Sequence, residues 1–240
     1  MKPIYLTNTL SKQKETFEPI NPGSVSMYHC GPTVYDSVHI GNLRAFLLAD
    51  ITRRVFEYND YAVNQVMNIT DIGHLVSDGD DGDDKMTKGL KKEGMEITLE
   101  NMLKLARKYE DVFVNDISDM NIQHPKILAR ASEHIDEDIE IIKNLEEKGF
   151  TYIISDGVYF DTEKMPDYGK LGGLSNSNES RIGEISEKKN PRDFALWKFD
   201  DTKGWPSPWG QGFPGWHIEC SGMGMKYLVN NLISTPVDTI

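Results

Sequence analysis

Three stretches of the chain carry side chains able to do chemistry. In YHCGPTVYDSVHIGN, residues 28 to 42, a thiol at Cys30 precedes the turn His39-Ile40-Gly41, and the only other cysteine, Cys220, lies in WHIECSG. A thiolate is a nucleophile or a metal ligand. Neither cysteine belongs to a CxxC pair, so a self-contained zinc knuckle is excluded. Two distant thiols can still meet around a tetrahedral zinc that takes two more ligands from His, Asp or Glu. Trp216, His217 and Glu219 surround Cys220 with polar and aromatic groups, and a buried, inert thiol is the alternative at both positions. In His39-Ile40-Gly41-Asn42, a Gly at a strand-to-helix turn admits a nucleotide close to the backbone, and the following helix offers unpaired N–H groups to phosphate. A His beside it can donate to oxygens that gain charge during attack on an α-phosphate. The alternative is an ordinary turn with His39 solvated or capping the helix. Lys85-Met86-Thr87-Lys88 has the composition of a phosphate-binding loop. It follows the acidic run DGDDGDD, residues 78 to 84, and a solvated helix start explains it equally well. The acidic run lacks the twelfth-position ligand of a calcium loop and reads as a solvated loop.

The elements that must position these residues follow from periodicity. SVSMYHC (24 to 30) reads as a strand ended by the GPT turn, and AVNQVMNIT (62 to 70) as a second strand. Between them Leu43, Phe46, Leu47, Ile51, Val55 and Tyr58 recur at spacings of three and four, which predicts a helix over 42 to 59. Strand, Gly turn, helix, strand opens a parallel α/β unit and places the turn at the carboxyl edge of the sheet, where such folds bind ligands. Helical patterns follow over 97 to 116 and 132 to 148, then a hairpin around Asp156-Gly157. Residues 163 to 192 read as a loop-dominated insertion, DFALWKF (193 to 199) as restored order, and WHIECSGMGMKYL (216 to 228) as a helix.

Composition narrows the class. With 240 residues and 38% hydrophobic content, the chain can bury one large core or two small ones. A net charge of −12 argues against broad nonspecific nucleic-acid binding, which needs dense Lys and Arg. No apolar run approaches the ~20 residues of a membrane span, and the start lacks a signal-peptide core, so a cytoplasmic protein is expected.

Taken together, YHCGPTVYDSVHIGNLRAF (28 to 46), NITDIG (68 to 73) with DDK (83 to 85), DFALWK (193 to 198) and SPWGQGFPGWHIECSGMGMKYL (207 to 228) resemble the cysteinyl-tRNA synthetases, a class I aminoacyl-tRNA synthetase family. The blocks occur in family order through nearly the whole chain. The resemblance implies an α/β fold: a Rossmann-like catalytic domain with a parallel sheet, interrupted by a connective insertion. The expected division is 1–118 for its first part, 119–192 for the insertion and 193–240 for the start of its second half. It implies ATP-dependent activation of L-cysteine and transfer to tRNA(Cys), with Mg2+ accompanying ATP and one Zn2+ per subunit.

Carried over residue by residue, Cys30 and Cys220 are two zinc ligands, with the remaining His and Glu ligands expected beyond Ile240. His39 and Asn42 occupy the ATP signature as catalytic residues, and Gly31, Thr33, Gly41, Thr70 and Trp216 join them in the substrate and ATP site. Zinc would separate cysteine from serine, because it binds a thiolate and a hydroxyl competes poorly, whereas an apolar pocket distinguishes such near-isosteres only ~10²-fold. The family's KMSKS loop and anticodon-binding domain are not in this sequence, and Lys85–Lys88 stands in the wrong place to replace KMSKS. The chain is therefore expected to be the N-terminal part of a monomeric synthetase, with little activity and weak zinc affinity alone. HLVSDGDDG (74 to 82) interrupts the NITDIDDK pattern and leaves the roles of Asp83, Asp84 and Lys85 open. Two alternatives remain: a cysteine ligase acting on an amino sugar, and a noncatalytic nucleotide- or amino-acid-binding module.

Overall fold

The computed structural model describes residues 3–72, 84–171, 187–215, 217–228 and the backbone of 233–234. The chain opens with a small antiparallel pair, β1 (Tyr5–Asn8) and β2 (Gln13–Thr16). The parallel unit expected from periodicity follows as β3 (Ser24–His29), α1 (Ile40–Tyr58) and β4 (Ala62–Ile69). Then come α2 (Lys85–Lys92), α3 (Leu99–Asp119), β5 (Ile127–Arg130) and α4 (Ile135–Glu147). A hairpin of β6 (Thr151–Ile154) and β7 (Gly157–Phe160) leads to β8 (Phe194–Phe199), β9 (Gly212–Pro214), α5 (Ile218–Leu228) and β10 (Ile233–Ser234).

Two four-stranded sheets organise these elements. The first is wholly parallel in the order β10-β3-β4-β5, and the second is antiparallel in the order β6-β7-β8-β9. The parallel sheet is apolar on both faces, as a sheet covered on both sides must be. Met67 and Ile69 of β4 pack with Phe46, Met102, Leu105 and Phe113 of α1 and α3. Tyr28 and Val66 point the other way, into a core shared by α4, α5 and the antiparallel sheet, where Ile142, Trp197 and Met223 are buried. β5, after residue 118, belongs to the parallel sheet, and β8 and β9, after residue 192, pair with the β6–β7 hairpin.

Local chemistry sets several element ends. α1 begins at Ile40, two residues before the expected start, because His39 caps it. Its apolar pattern misidentifies the buried face. Phe46, Ala49, Asp50 and Phe56 are buried, whereas Leu47, Ile51, Val55 and Tyr58 are 37%, 50%, 41% and 88% exposed. Polar anchors fix this rotation: Asp50 accepts from the Gln123 N–H at 2.9 Å, and Arg53 donates to Gln65 at 3.0 Å and to the His124 carbonyl at 2.8 Å. The hairpin turn falls at Ser155-Asp156. Gly157 is the first residue of β7, where a Cβ would lie 2.2 Å from the Trp197 carbonyl. Asp84 caps α2 by accepting from the Thr87 N–H at 2.9 Å, and its buried carboxylate pairs with the buried Lys203 ammonium. Lys85–Lys88 is thus the first turn of a packed helix with Met86 and Thr87 buried, more deeply than a solvated helix start implies. The rest of the acidic run lies outside the described residues.

The sharpest steric constraint is at Gly31, where a Cβ would lie 1.8 Å from the Asn68 carbonyl oxygen of β4 and 2.9 Å from Met67 Cγ. Backbone cannot yield as a flexible side chain does, and overpacking alone costs ~1–3 kcal/mol. Gly31→Ala is expected to lose at least about 3 kcal/mol of stability in urea unfolding. An unchanged midpoint would show that the strand ends are not in this contact.

Candidate active site

Gly31 starts the geometry of the site. Its N–H donates to Asn68 Oδ1 at 3.0 Å, and beyond it Thr33 and Thr70 form a parallel bridge in which Val34 N donates to the Thr70 carbonyl at 3.1 Å and Thr70 N to the Pro32 carbonyl at 3.0 Å. The ends of β3 and β4 are thereby bonded together at the carboxyl edge of the sheet. Thr70 is buried, and its hydroxyl oxygen accepts from the Asn68 amide at 3.1 Å, which leaves its O–H as a donor.

At one side of this edge the exposed turn begins α1. His39 Nδ1 accepts from the Gly41 N–H at 3.0 Å, while the His39 N–H donates to Asn42 Oδ1 at 3.2 Å, a reciprocal capping box. Of the helix N–H groups expected to face phosphate, that of Gly41 is already taken by His39 Nδ1. The Asn42 N–H is likewise taken by the His39 carbonyl at 2.9 Å. An anion there still meets the positive end of the helix dipole and the other ring nitrogen. With Nδ1 accepting, neutral His39 carries its proton on Nε2, so the ring presents an N–H outward.

At the other side, α5 returns Cys220 to Cys30. Their sulfurs are 3.8 Å apart. The Cys30 sulfur, burial and the Glu219 carboxylate, in that order, push the Cys220 thiol well up, while the neighbouring Tyr28 hydroxyl favours the thiolate. Such a pair is poorly suited to hold negative charge unless a cation joins it. Two zinc–sulfur bonds of ~2.3 Å at a tetrahedral angle set sulfurs about 3.8 Å apart, so the observed spacing fits a zinc ion. Where the sequence suggested only two donors, His217 adds an imidazole: its Nδ1 is 3.6 Å from the Cys220 sulfur, and donor atoms of Cys30, His217 and Cys220 all lie within 4.8 Å of one another. The signal was its position one helical turn before Cys220. Trp216 lies outside the described residues.

Sequence reasoning also missed the polar layer behind Thr70. Asp71 is fully buried and accepts from Ser132 N at 2.8 Å and Ser132 Oγ at 2.6 Å, with Arg107 at 3.8 Å. Burial nevertheless outweighs these contacts and raises its pKa. The NITD block signals this Asp, but its partners come from α3 and the segment after β5, which no local pattern connects to it. Ser132 also lines a cleft of about 240 Å³ with Glu133, Ile135, Asp136, Trp205 and Pro206, none of them a residue singled out for the site.

The parallel sheet carries at its carboxyl edge a thiol pair on one side and a His-capped helix start on the other. The family profile "tRNA synthetases class I (C) catalytic domain" matches residues 16–234, and the chain belongs to that family. Cysteine–tRNA ligase 1 of Burkholderia lata is 47% identical over 233 residues, covering 94% of this chain and 48% of its own length. The cysteine–tRNA ligase of Pyrococcus horikoshii is 47% identical over 231 residues, covering 94% of this chain and 45% of its own. The chain thus spans about half the length of the curated relatives it matches. Among solved structures, Mycobacterium tuberculosis methionyl-tRNA synthetase in complex with methionyl-adenylate shares the fold, with a TM-score of 0.56 at 12% identity over 86% of this chain and 46% of that one. Among the described residues no helix is long and apolar enough to cross a membrane.

Behind the thiol pair, Asp138 in the first turn of α4 is fully buried, and neither carboxyl oxygen has a hydrogen-bond partner among the described residues. Gly222 of α5 admits it, since a Cβ there would lie 2.5 Å from Asp138 Oδ1. Burial, then Glu219 and Glu137, push the Asp138 pKa from 3.8 up to about 9, and Glu137 itself is paired with Lys226. The folded state therefore keeps a proton that the unfolded chain releases, and stability falls as pH rises through the interval between those two values. Asp138→Asn is expected to remove this loss and raise Tm at pH 8 by at least about 3 °C, with a smaller gain at pH 5. Thermal unfolding at both pH values checks it, and an equal or negative shift at pH 8 would contradict it.

Proposed function

We propose that this chain forms the cysteine- and ATP-binding part of a cysteine–tRNA ligase, which condenses L-cysteine with ATP to cysteinyl-adenylate and passes the cysteinyl group to tRNA(Cys). The observation that carries the proposal is the convergence of the two distant cysteines to a 3.8 Å sulfur pair at the end of β3, the strand that leads into the His39 turn. Family membership and the names of the relatives support it.

Adenylate formation needs no protein nucleophile. The substrate carboxylate attacks the α-phosphate, pyrophosphate leaves, and the protein contributes position and charge stabilisation. His39 donates from Nε2–H to phosphate oxygen as negative charge grows there, its tautomer fixed by the Gly41 N–H, and the α1 dipole acts in the same sense. Asn42 holds the His39 backbone in place. Thr70 presents its hydroxyl proton at the seam of the two strands, where the amino acid lies between metal and nucleotide. Cys30 and Cys220 would hold zinc, which when bound takes up the substrate sulfur as thiolate and discriminates against the serine hydroxyl. Raising discrimination from the ~10²-fold of an apolar pocket to ~10⁵-fold takes about 4 kcal/mol, at about 1.4 kcal/mol per tenfold. Mg2+ accompanies ATP as in other phosphoryl chemistry.

The test is cysteine-dependent exchange of pyrophosphate into ATP by the complete product of the gene that encodes this chain, with zinc supplied. Exchange with cysteine and at least ~10³-fold less with serine is expected. His39→Asn keeps a competent helix cap and removes the Nε2–H donor, so kcat should drop about 10²-fold with little change in stability. No exchange with cysteine, or full activity in His39→Asn, would overturn the corresponding assignment.

A further inference from the structure

We propose that the cleft between the first turn of α4 and the Trp205 loop holds the terminal adenine base of the tRNA that accepts the cysteinyl group. The inference rests on the function proposed above and locates its second step. In that step the terminal ribose hydroxyl oxygen bonds to the cysteinyl carbonyl carbon and the bond from that carbon to the phosphate oxygen breaks. AMP leaves with the bonding pair, and the hydroxyl proton passes to an oxygen of the departing phosphate. The terminal nucleoside must therefore lie beside the amino-acid position at Thr70. Ser132, which lines the cleft, donates through its N–H and its Oγ to Asp71, the residue after Thr70, at 2.8 and 2.6 Å. The cleft thus lies at the carboxyl edge of the parallel sheet, past β5 and one residue contact from the seam of β3 and β4.

Its volume of about 240 Å³ is below the ~300–1,000 Å³ of pockets that take drug-sized ligands, which suits one planar ring system rather than a whole nucleotide. Trp205 supplies a platform for such a ring. It is half-buried, its packing joins both large cores, and its backbone is clamped to Gly212 by paired hydrogen bonds of 2.6 and 2.9 Å. Unstacked bases are recognised by stacking on aromatic side chains and by hydrogen bonds to their Watson–Crick edges. On that edge adenine presents a donor, the N6 amine, beside an acceptor, N1. The cleft presents the complement. The exposed Asp136 carboxylate, which has no ion pair or hydrogen bond among the described residues, accepts from N6, and the first turn of α4, which no side chain caps, has backbone N–H groups for N1. Glu133, also in the lining, is committed to Arg107 and Arg130 at 3.2 and 3.1 Å. The acidic first turn, Asp136 to Asp138, disfavours a phosphate at this helix start, so the cleft accepts a base edge and not the RNA backbone. Guanine would bring its O6 against the Asp136 carboxylate and is disfavoured.

The complete product of the gene that encodes this chain provides two readouts: cysteine-dependent pyrophosphate exchange, which needs no RNA, and cysteinylation of tRNA transcripts that end in adenosine or in guanosine. Trp205→Ala is expected to lower kcat/KM for the tRNA at least about 10-fold with exchange unchanged, and Trp205→Phe, which keeps a stacking face, to retain most of it. Asp136→Ala changes an exposed residue and so probes the edge contact without disturbing the core. Its preference for terminal adenosine over guanosine should shrink about 10-fold, again with exchange unchanged. Unaltered tRNA kinetics in Trp205→Ala, or an unaltered terminal-base preference in Asp136→Ala, would overturn the assignment, as would a higher KM for cysteine in the exchange reaction of Asp136→Ala. If Trp205→Ala loses exchange and so reports a damaged fold, Asp136→Ala decides alone. Absence of exchange in the unmodified protein would instead overturn the proposed function.

Discussion

The site depends on one close approach, the backbone of Gly31 against the Asn68 carbonyl at the end of β4. Parallel strands β3 and β4 stay in register from Ser24 and Ala62 to His29 and Met67, and Gly31 lets the chain continue in contact to the Thr33–Thr70 bridge. A side chain at this point would separate the strand ends. With the strands joined, Cys30 is fixed on one side of the seam, Thr70 lies in it, and the turn that follows delivers His39 to the start of α1. Under the proposed function, sequence neighbours serve two different sites, one for a metal and one for phosphates, because one follows the end of β3 and the other starts α1.

The second constraint is electrostatic. Cys30, Cys220 and Glu219 put several potential negative charges in a half-buried space, and Asp138 adds a fourth acid behind them. In the metal-free protein Cys220 and Asp138 hold their protons, since burial and the neighbouring acidic groups oppose ionising them. A divalent cation reverses this balance, so the arrangement is costly without a metal and favourable with one. The phosphate side uses a milder device. Capping α1 with an imidazole satisfies one helix N–H and at the same moment sets which ring nitrogen carries the proton.

Much of this was legible in the residues. The strand, turn, helix, strand order, the two long helices after it and the α5 helix follow from periodicity and Gly or Pro punctuation, and the meeting of Cys30 with Cys220 followed from resemblance. Other features were hidden for physical reasons. The α1 stripe of Leu47, Ile51 and Val55 has the right spacing for a core face, yet contacts made by Asp50 and Arg53 with residues far along the chain decide the rotation. The affiliation of β5 with one sheet and of β8 and β9 with the other is a matter of long-range pairing, which local pattern does not encode. Asp71 with Ser132 and Asp84 with Lys203 are long-range polar contacts of the same kind.

The central claim is that Cys30 and Cys220 together hold one metal ion. X-ray absorption at the zinc edge of the zinc-loaded chain tests it most directly. The account predicts two sulfur scatterers at about 2.3 Å, with lighter N or O donors at about 2.0–2.1 Å. A first shell of nitrogen and oxygen alone, with no sulfur at that distance, would contradict it.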